Sequence, residues 1–118
     1  MTNTELEERL ISFAVLIVGI VDKLQKTKTG NHFSGQLLRS GTSPALNYGE
    51  VRGAESKKDF IHKLQVVLKE LRETYNCLKI IDRTKISITE ESIKKALNEC
   101  NELISIFVIT VKTARKNG

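Results

Sequence analysis

A ladder of polar side chains between Gln36 and Glu50 holds the residue types in this sequence that could do chemistry. Gln36, Ser40, Ser43, Asn47 and Glu50 follow one another at steps of four, three, four and three residues. This spacing places them on one face of an α-helix. Serine hydroxyls beside amides and a carboxylate are groups that nucleophilic and acid–base catalysis uses. A serine nucleophile also needs a base, and no histidine stands at a helical neighbour position of either serine.

Other catalytic and metal-binding candidates also lack their partners. A di-metal helical bundle uses a Glu from each of two helices and a Glu-x-x-His pair from each of the other two. This sequence has one comparable pair, Asp59-x-x-His62, and no second copy. His32 and Glu50 stand apart from it, and Asp59 is explained as a helix cap. The glycines are scattered, without the Gly-Lys-Ser/Thr sequence of a phosphate loop. We therefore expect no catalytic residue, metal or cofactor, and interpret the protein as not being an enzyme.

The polar ladder either faces solvent or makes hydrogen bonds to neighbouring helices. In the first case, the second helix turns this face to solvent. Small hydroxyl and amide residues are poor choices for a solvated helix face, where Lys and Glu are usual. We favour a strip of hydrogen bonds that fixes the register between the second helix and its neighbours. This polar seam comprises Gln36, Arg39, Ser40, Ser43, Asn47, Glu50, Ser56 and Asp59.

Four amphipathic segments joined by short polar turns must position the seam. Helices are expected over about residues 4–26, 32–52, 56–82 and from 89 to a basic tail at 115–116. Short connections make consecutive helices antiparallel. The sequence therefore predicts an all-α, antiparallel up-down-up-down four-helix bundle, with residues 1–118 in a single domain.

Capping residues mark the starts of three of these helices. Thr4 with Glu7, and Ser56 with Asp59, have the spacing of a capping box. Thr89 is expected to cap the fourth helix, since it precedes two acidic residues that suit a helix start.

Three further local features shape the predicted helices. Ile88 and Ile93 have the spacing of a hydrophobic staple at the start of the fourth helix. Gly30 can adopt the left-handed conformation that ends a helix. Pro44 cannot donate its helical hydrogen bond, so we expect a kink or a loosened turn in the second helix, not a full break.

The first helix carries two apolar stripes, although one buried face needs a single stripe. Either this helix is central in its own bundle, or the second stripe is buried against another subunit. The first stripe is Leu6, Leu10, Phe13, Ile17, Ile20 and Leu24, and the second is Ile11, Ala14, Val18 and Val21.

Cysteine usage and the apolar run at residues 10–21 bear on the cellular compartment. That run is too short to span a bilayer, and Glu5, Glu7 and Glu8 precede it where a signal peptide needs positive charge. Cys77 and Cys100 stand at apolar helical positions and are expected to be reduced core residues. We expect a cytoplasmic protein that does not enter a membrane.

The net charge of +5 is distributed so that the bundle would gather cations at one end. They either complement helix dipoles or form a rim that binds nucleic-acid phosphates. Without interleaved aromatic residues, such binding would follow backbone charge and not the bases. This basic pole comprises Lys23, Lys26, Lys28, Lys79, Arg83 and Lys85.

The seam and its continuation strongly resemble the bacterial four-helix-bundle protein family. The matching residues read Gln36-x-x-Arg39-Ser40-x-x-Ser43-x-x-x-Asn47-x-x-Glu50, then Ser56-x-x-Asp59-Phe60 and Leu68-Lys-Glu-Leu71-x-Glu73. That family includes proteins encoded in intervening sequences of large-subunit ribosomal RNA genes, and it is similar to accessory proteins of diversity-generating retroelements. Val51 replaces a common Gly, and Pro44 stands one place earlier than usual. These departures affect the local shape near the expected kink.

The resemblance implies a small, helical protein that assembles into a ring of five subunits. Its retroelement relatives are basic partners of a reverse transcriptase and of nucleic acid. We therefore expect a non-enzymatic homo-oligomer that binds RNA or DNA through the basic pole, with a reverse transcriptase or another protein as a further partner. The alternative is a protein–protein interaction scaffold without nucleic-acid binding.

Overall fold

The computed structural model describes residues 1–87 and 89–117, and it consists of helices that alternate in direction. Within these residues the four α-helices are α1 (Asn3–Val21), α2 (Lys28–Val51), α3 (Lys57–Thr84) and α4 (Glu90–Lys116). α1 and α3 each pack against both α2 and α4. The result is an up-down-up-down four-helix bundle with extents of 47 × 21 × 20 Å. The predicted fold is confirmed.

The first apolar stripe of α1 forms one wall of the core. Leu10, Phe13, Ile17 and Ile20 are almost fully buried, as the four-three rhythm of the sequence requires. The opposite helices contribute aliphatic residues at the same rhythm, and Phe107 of α4 meets Tyr48 edge to face, at 5.7 Å between ring centroids. Within the described residues, no helix has both the length and the apolar character needed to cross a membrane.

The first helix begins and ends earlier than the sequence suggested. Thr2 caps α1, because its hydroxyl accepts the N–H of Glu5 at 3.1 Å. The predicted cap at Thr4 is therefore wrong: a second Thr-x-x-Glu pair lies two residues upstream. α1 ends at Val21. Leu24 lies beyond this end, where its side chain is buried and its backbone pairs with Ser87 of the α3–α4 connection.

The second helix begins four residues before the predicted start. Thr27 caps it by accepting the N–H of Gly30 at 3.0 Å. Gly30 therefore lies inside the first turn of α2 and does not end α1 in a left-handed conformation, which corrects that prediction. A side chain at Gly30 would place its Cβ 1.8 Å from the Gln25 carbonyl oxygen, so the chain approaches itself too closely for any other residue.

The remaining helix ends agree with the sequence in position. α2 continues through the buried Pro44 without a break. Ser56 caps α3 by accepting the N–H of Asp59 at 3.1 Å. Thr89 is the first residue outside α4, but its hydroxyl makes no capping bond and lies 3.3 Å from the Ser87 hydroxyl. The predicted staple with Ile93 involves Ile88, which lies outside the described residues.

Candidate functional site

The polar seam is divided between buried and exposed positions. Ser40 is 1% exposed, and its hydroxyl has no hydrogen-bond partner among the described residues. Ser43 accepts a bond of 2.7 Å from the Asn47 side chain of the same helix. Gln36 and Glu50 are exposed. These seam side chains therefore make no bond from α2 to another helix within the described residues.

Arg39 is the seam residue that connects two helices. Its guanidinium donates to the Glu70 carboxylate at 3.0 Å and also pairs with Glu73, both on α3. The Glu70 side chain is 11% exposed, so this contact places a nearly buried carboxylate against its cation. The hydrogen bond to Glu70, followed by the charges of Glu70 and Glu73, raises the pKa of Arg39.

A cleft of about 180 Å³ lies between α2 and α3 beside this ion pair. Its walls include Ser40, Glu73 and Cys77, and none of its lining residues is a histidine. Burial, with a smaller effect of the Glu73 charge, raises the pKa of the Cys77 thiol to about 11. Burial raises the pKa of the Cys100 thiol to about 12. At neutral pH both sulfurs are therefore thiols, which are poor nucleophiles.

Metal-binding side chains do not converge in the described part of the chain. Over residues 1–87 and 89–117, no group of three or more His, Cys, Asp or Glu side chains could hold a metal ion. Asp59 instead pairs with Lys63 at 2.9 Å and accepts the N–H of Glu55 at 3.2 Å. Both hydrogen bonds lower the pKa of Asp59, and the bond with Lys63 has the larger effect. The Asp59 carboxylate is thus engaged at the start of α3.

The connections at one end of the bundle carry the predicted basic pole. Antiparallel pairing of Leu24 with Ser87, and a bond of 3.2 Å from the Gln25 N–H to the Ile86 carbonyl, join the α1–α2 and α3–α4 connections. The exposed cations of both connections therefore belong to one surface. They are Lys23, Lys26 and Lys28 from the first connection, and Arg83 and Lys85 from the end of α3.

Two of the six pole residues have other contacts. Lys79 lies one turn before Arg83 on α3, with its ammonium 4.9 Å from the centre of the Tyr75 ring. Lys85 pairs with Glu90 at 3.3 Å and adopts a left-handed backbone conformation that ends α3. The pole is thus partly neutralised at Lys85.

A second basic surface, which we did not predict from the sequence, lies in the groove between α3 and α4. A cleft of about 390 Å³ is lined by Lys69 and Arg72 of α3 and by Lys112 and Arg115 of α4. The spacing of 69 with 72, and of 112 with 115, places each pair on one flank of its helix. This pattern is visible in the sequence, but it becomes a single surface only when those two flanks are known to adjoin.

An exposed apolar strip follows the groove between α1 and α2. The ion pair between Glu7 and Arg52, at 3.3 Å, shows which flanks of these helices adjoin. Side chains of the second α1 stripe lie on the same flank as Glu7, at helical spacing. The exposed members of the strip are Ile11, Val15 and Val18 of α1 and Leu38 of α2.

Comparison with known proteins places this geometry in a family. The family model described as 23S rRNA-intervening sequence protein matches residues 3–108. A crystal structure of a Bacteroides thetaiotaomicron protein of unknown function, from the S23 ribosomal protein family, is 34% identical. The match covers 95% of this chain and 99% of that one, with a TM-score of 0.84. No curated protein matches the chain.

The family match covers far more than half of the sequence, and it includes the polar seam, the α1–α2 strip and most of α4. The solved relative matches over nearly the full length of both chains. The resemblance noted from the seam residues is thereby confirmed. The chain belongs to the 23S rRNA-intervening sequence protein family.

Proposed function

We propose that the protein is a non-enzymatic, cytoplasmic homo-oligomer that binds the phosphate backbone of RNA or DNA through its basic pole. The observation that carries this proposal is the pairing of Leu24 with Ser87, because it joins two connections that both carry exposed cations. Cations on one surface attract phosphates and release the counterions that surround a nucleic acid. The name of the family refers to intervening sequences of 23S rRNA, which makes RNA the first probe.

The exposed α1–α2 strip supports the homo-oligomeric part of the proposal. Val15 of α1 and Leu38 of α2 are 66% and 41% exposed, although both are large aliphatic side chains. A contiguous apolar surface of this kind is typical of a protein–protein interface. We assign a second copy of the chain as its occupant, in a ring of five as the resemblance implies. A reverse transcriptase or another protein would then bind the assembled ring.

Nucleic-acid binding is tested by removing charge from the pole. Lys26→Gln with Arg83→Gln removes two exposed cations, one from each connection. We expect labelled duplex RNA to bind the unaltered protein with a steep salt dependence. In the variant, the slope of log affinity against log salt should fall by about 2, and the affinity by about tenfold or more near 0.1 M salt. Fluorescence anisotropy over a salt titration measures both.

The matched control removes two cations that already have partners. Arg52→Gln with Lys63→Gln changes the net charge by the same amount, but these side chains pair with Glu7 and Asp59. The control should bind nearly as well as the unaltered protein. Equal losses in both variants would show that net charge, and not the pole, drives binding. A protein that binds neither RNA nor DNA would leave the interaction scaffold as the better hypothesis.

A further inference from the structure

We propose that the α3–α4 groove is a second phosphate-binding surface, which extends the pole into a track for one duplex nucleic acid along the bundle. The inference rests on the proposed function and adds to it a second binding surface and a duplex as the form of the bound nucleic acid. The groove belongs to the half of α3 and α4 that lies farthest from the pole, because α3 ends and α4 begins at the pole. Binding at both surfaces therefore requires an extended ligand.

The groove cations are available for a ligand. Lys69, Arg72, Lys112 and Arg115 are exposed and form no ion pair with any described residue. Arg115 also lines two adjoining clefts, in which Lys57, Lys58 and Lys116 are found. None of the residues that line these three clefts is acidic. Unpaired cations that line clefts without carboxylates are the electrostatic footprint of a polyanion site.

Carboxylates in the middle of the same two helices pair with cations of α1 and α2, which leaves a surplus of positive charge in the groove. Glu70 of α3 pairs with Arg39 of α2. Glu99 of α4 pairs with Arg9 of α1 at 2.7 Å. In these pairs each helix directs an acidic side chain toward its other neighbour and away from the α3–α4 groove, whereas Glu90 of α4 pairs with Lys85 only at the pole. The groove is basic because of this division, and not merely because the protein has a positive net charge.

Duplex nucleic acid fits this surface better than other polyanions. Lys79 and Arg83 continue the cationic flank of α3 toward the pole, since they follow Arg72 by 7 and 11 residues at helical spacing. At 1.5 Å per residue, the 28 residues of α3 give a track of about 40 Å. The Tyr75 ring on that flank is covered by the Lys79 ammonium, so single-stranded bases would find little to stack on. A membrane would instead engage the apolar strip, which lies on the opposite side of the bundle.

Charge removal in the groove tests the proposal. Arg72→Gln with Lys112→Gln should weaken binding of a 14-base-pair duplex, as RNA and as DNA, by about tenfold or more and lower the salt slope by about 2. Lys69→Gln with Arg115→Gln should do the same. Both variants alter exposed side chains, and thermal unfolding would verify that they fold. The Arg52→Gln, Lys63→Gln protein again serves as the control for net charge.

Duplex length gives an independent readout. A track of about 40 Å corresponds to about 12 base pairs at 3.4 Å per pair. A 6-base-pair duplex should bind much more weakly than a 14-base-pair duplex, and the groove variants should abolish this difference. Equal affinity for both lengths would overturn the track, as would displacement of the duplex by poly-glutamate at the same charge concentration.

The outcomes separate this inference from the proposed function. If the pole variant loses affinity while both groove variants bind like the control, the groove proposal fails and the proposed function stands. If no duplex binds the unaltered protein, both fail. Loss of affinity in the groove variants together with the length dependence supports the track.

Discussion

Single residues set how closely α1 and α2 approach. Gly41 of α2 faces Ile17 of α1, and a Cβ built at Gly41 would lie 2.7 Å from the nearest Ile17 side-chain carbon. Ile17 is fully buried, so it has no room to move away. Gly35, in the same helix, has no neighbouring atom within 4 Å of the corresponding position. Packing therefore requires glycine at position 41, whereas a side chain would fit at position 35.

Substitution of these glycines should have opposite effects on stability. Gly41→Ala should lower the free energy of unfolding by about 1–2 kcal/mol, because overpacking costs about 1–3 kcal/mol and helix propensity returns up to about 1 kcal/mol. Gly35→Ala should raise it by up to about 1 kcal/mol. Urea unfolding at equal protein concentration measures both. A stabilised Gly41→Ala protein would contradict the described contact with Ile17.

The sequence predicted the central parts of the helices better than the residues at their ends. Thr2 with Glu5 and Thr4 with Glu7 are equivalent as capping pairs, so spacing alone could not choose between them. Gly30 was assigned to a helix end because glycine is common there. Its actual role depends on the approach of the Gln25 carbonyl, a contact that the sequence does not contain. By contrast, Ser56 had no competing cap nearby and was placed correctly.

At the scale of helices, the Arg39 ion pairs are the charged contacts between α2 and α3. Arg39 is half exposed, whereas the Glu70 side chain it binds is nearly buried. A buried carboxylate that loses its cation is costly, while replacing both partners by apolar residues can be nearly neutral. The pair therefore makes the α2–α3 register sensitive to the loss of one partner.

A pair of variants tests this asymmetry. Arg39→Met should lower the free energy of unfolding, because the nearly buried Glu70 carboxylate is left without its cation. The double variant Arg39→Met, Glu70→Met should recover most of that loss. Chemical unfolding of the single and double variants measures the coupling. If the double variant is no more stable than the single one, the stranded charge is not the cause.

The whole molecule is divided into an apolar side and a basic side. α1 with α2, and α3 with α4, form opposite faces of the bundle because each helix packs on two neighbours. A second copy that binds the α1–α2 strip would cover the side of the bundle opposite the α3–α4 groove. The second stripe of α1 was recognised in the sequence by its rhythm, but its continuation to Leu38 of α2 was not. Joining Leu38 to the stripe required the Glu7–Arg52 contact, which shows that the two flanks adjoin.

Self-association should depend on the apolar side. Val15→Glu places a charge at a position of the strip that is 66% exposed in the single chain, so folding should be unaffected while the assembly dissociates. The matched control is Ile109→Glu on α4, which is 64% exposed and lies outside the strip. Analytical ultracentrifugation should show a lower mass for the first variant and the unaltered mass for the second. A single-chain mass for the unaltered protein would contradict the assembly.

The pairing of Leu24 with Ser87 also has a consequence for dynamics. The Gln25 N–H donates to the Ile86 carbonyl outside any helix, so this bond forms only while the two connections lie together. Exchange of that amide proton with solvent deuterium therefore reports opening of this end of the bundle, separately from fraying of the helices. A ligand that binds both connections would slow this exchange, and the Gln25 amide is thus a built-in reporter of the state of the pole.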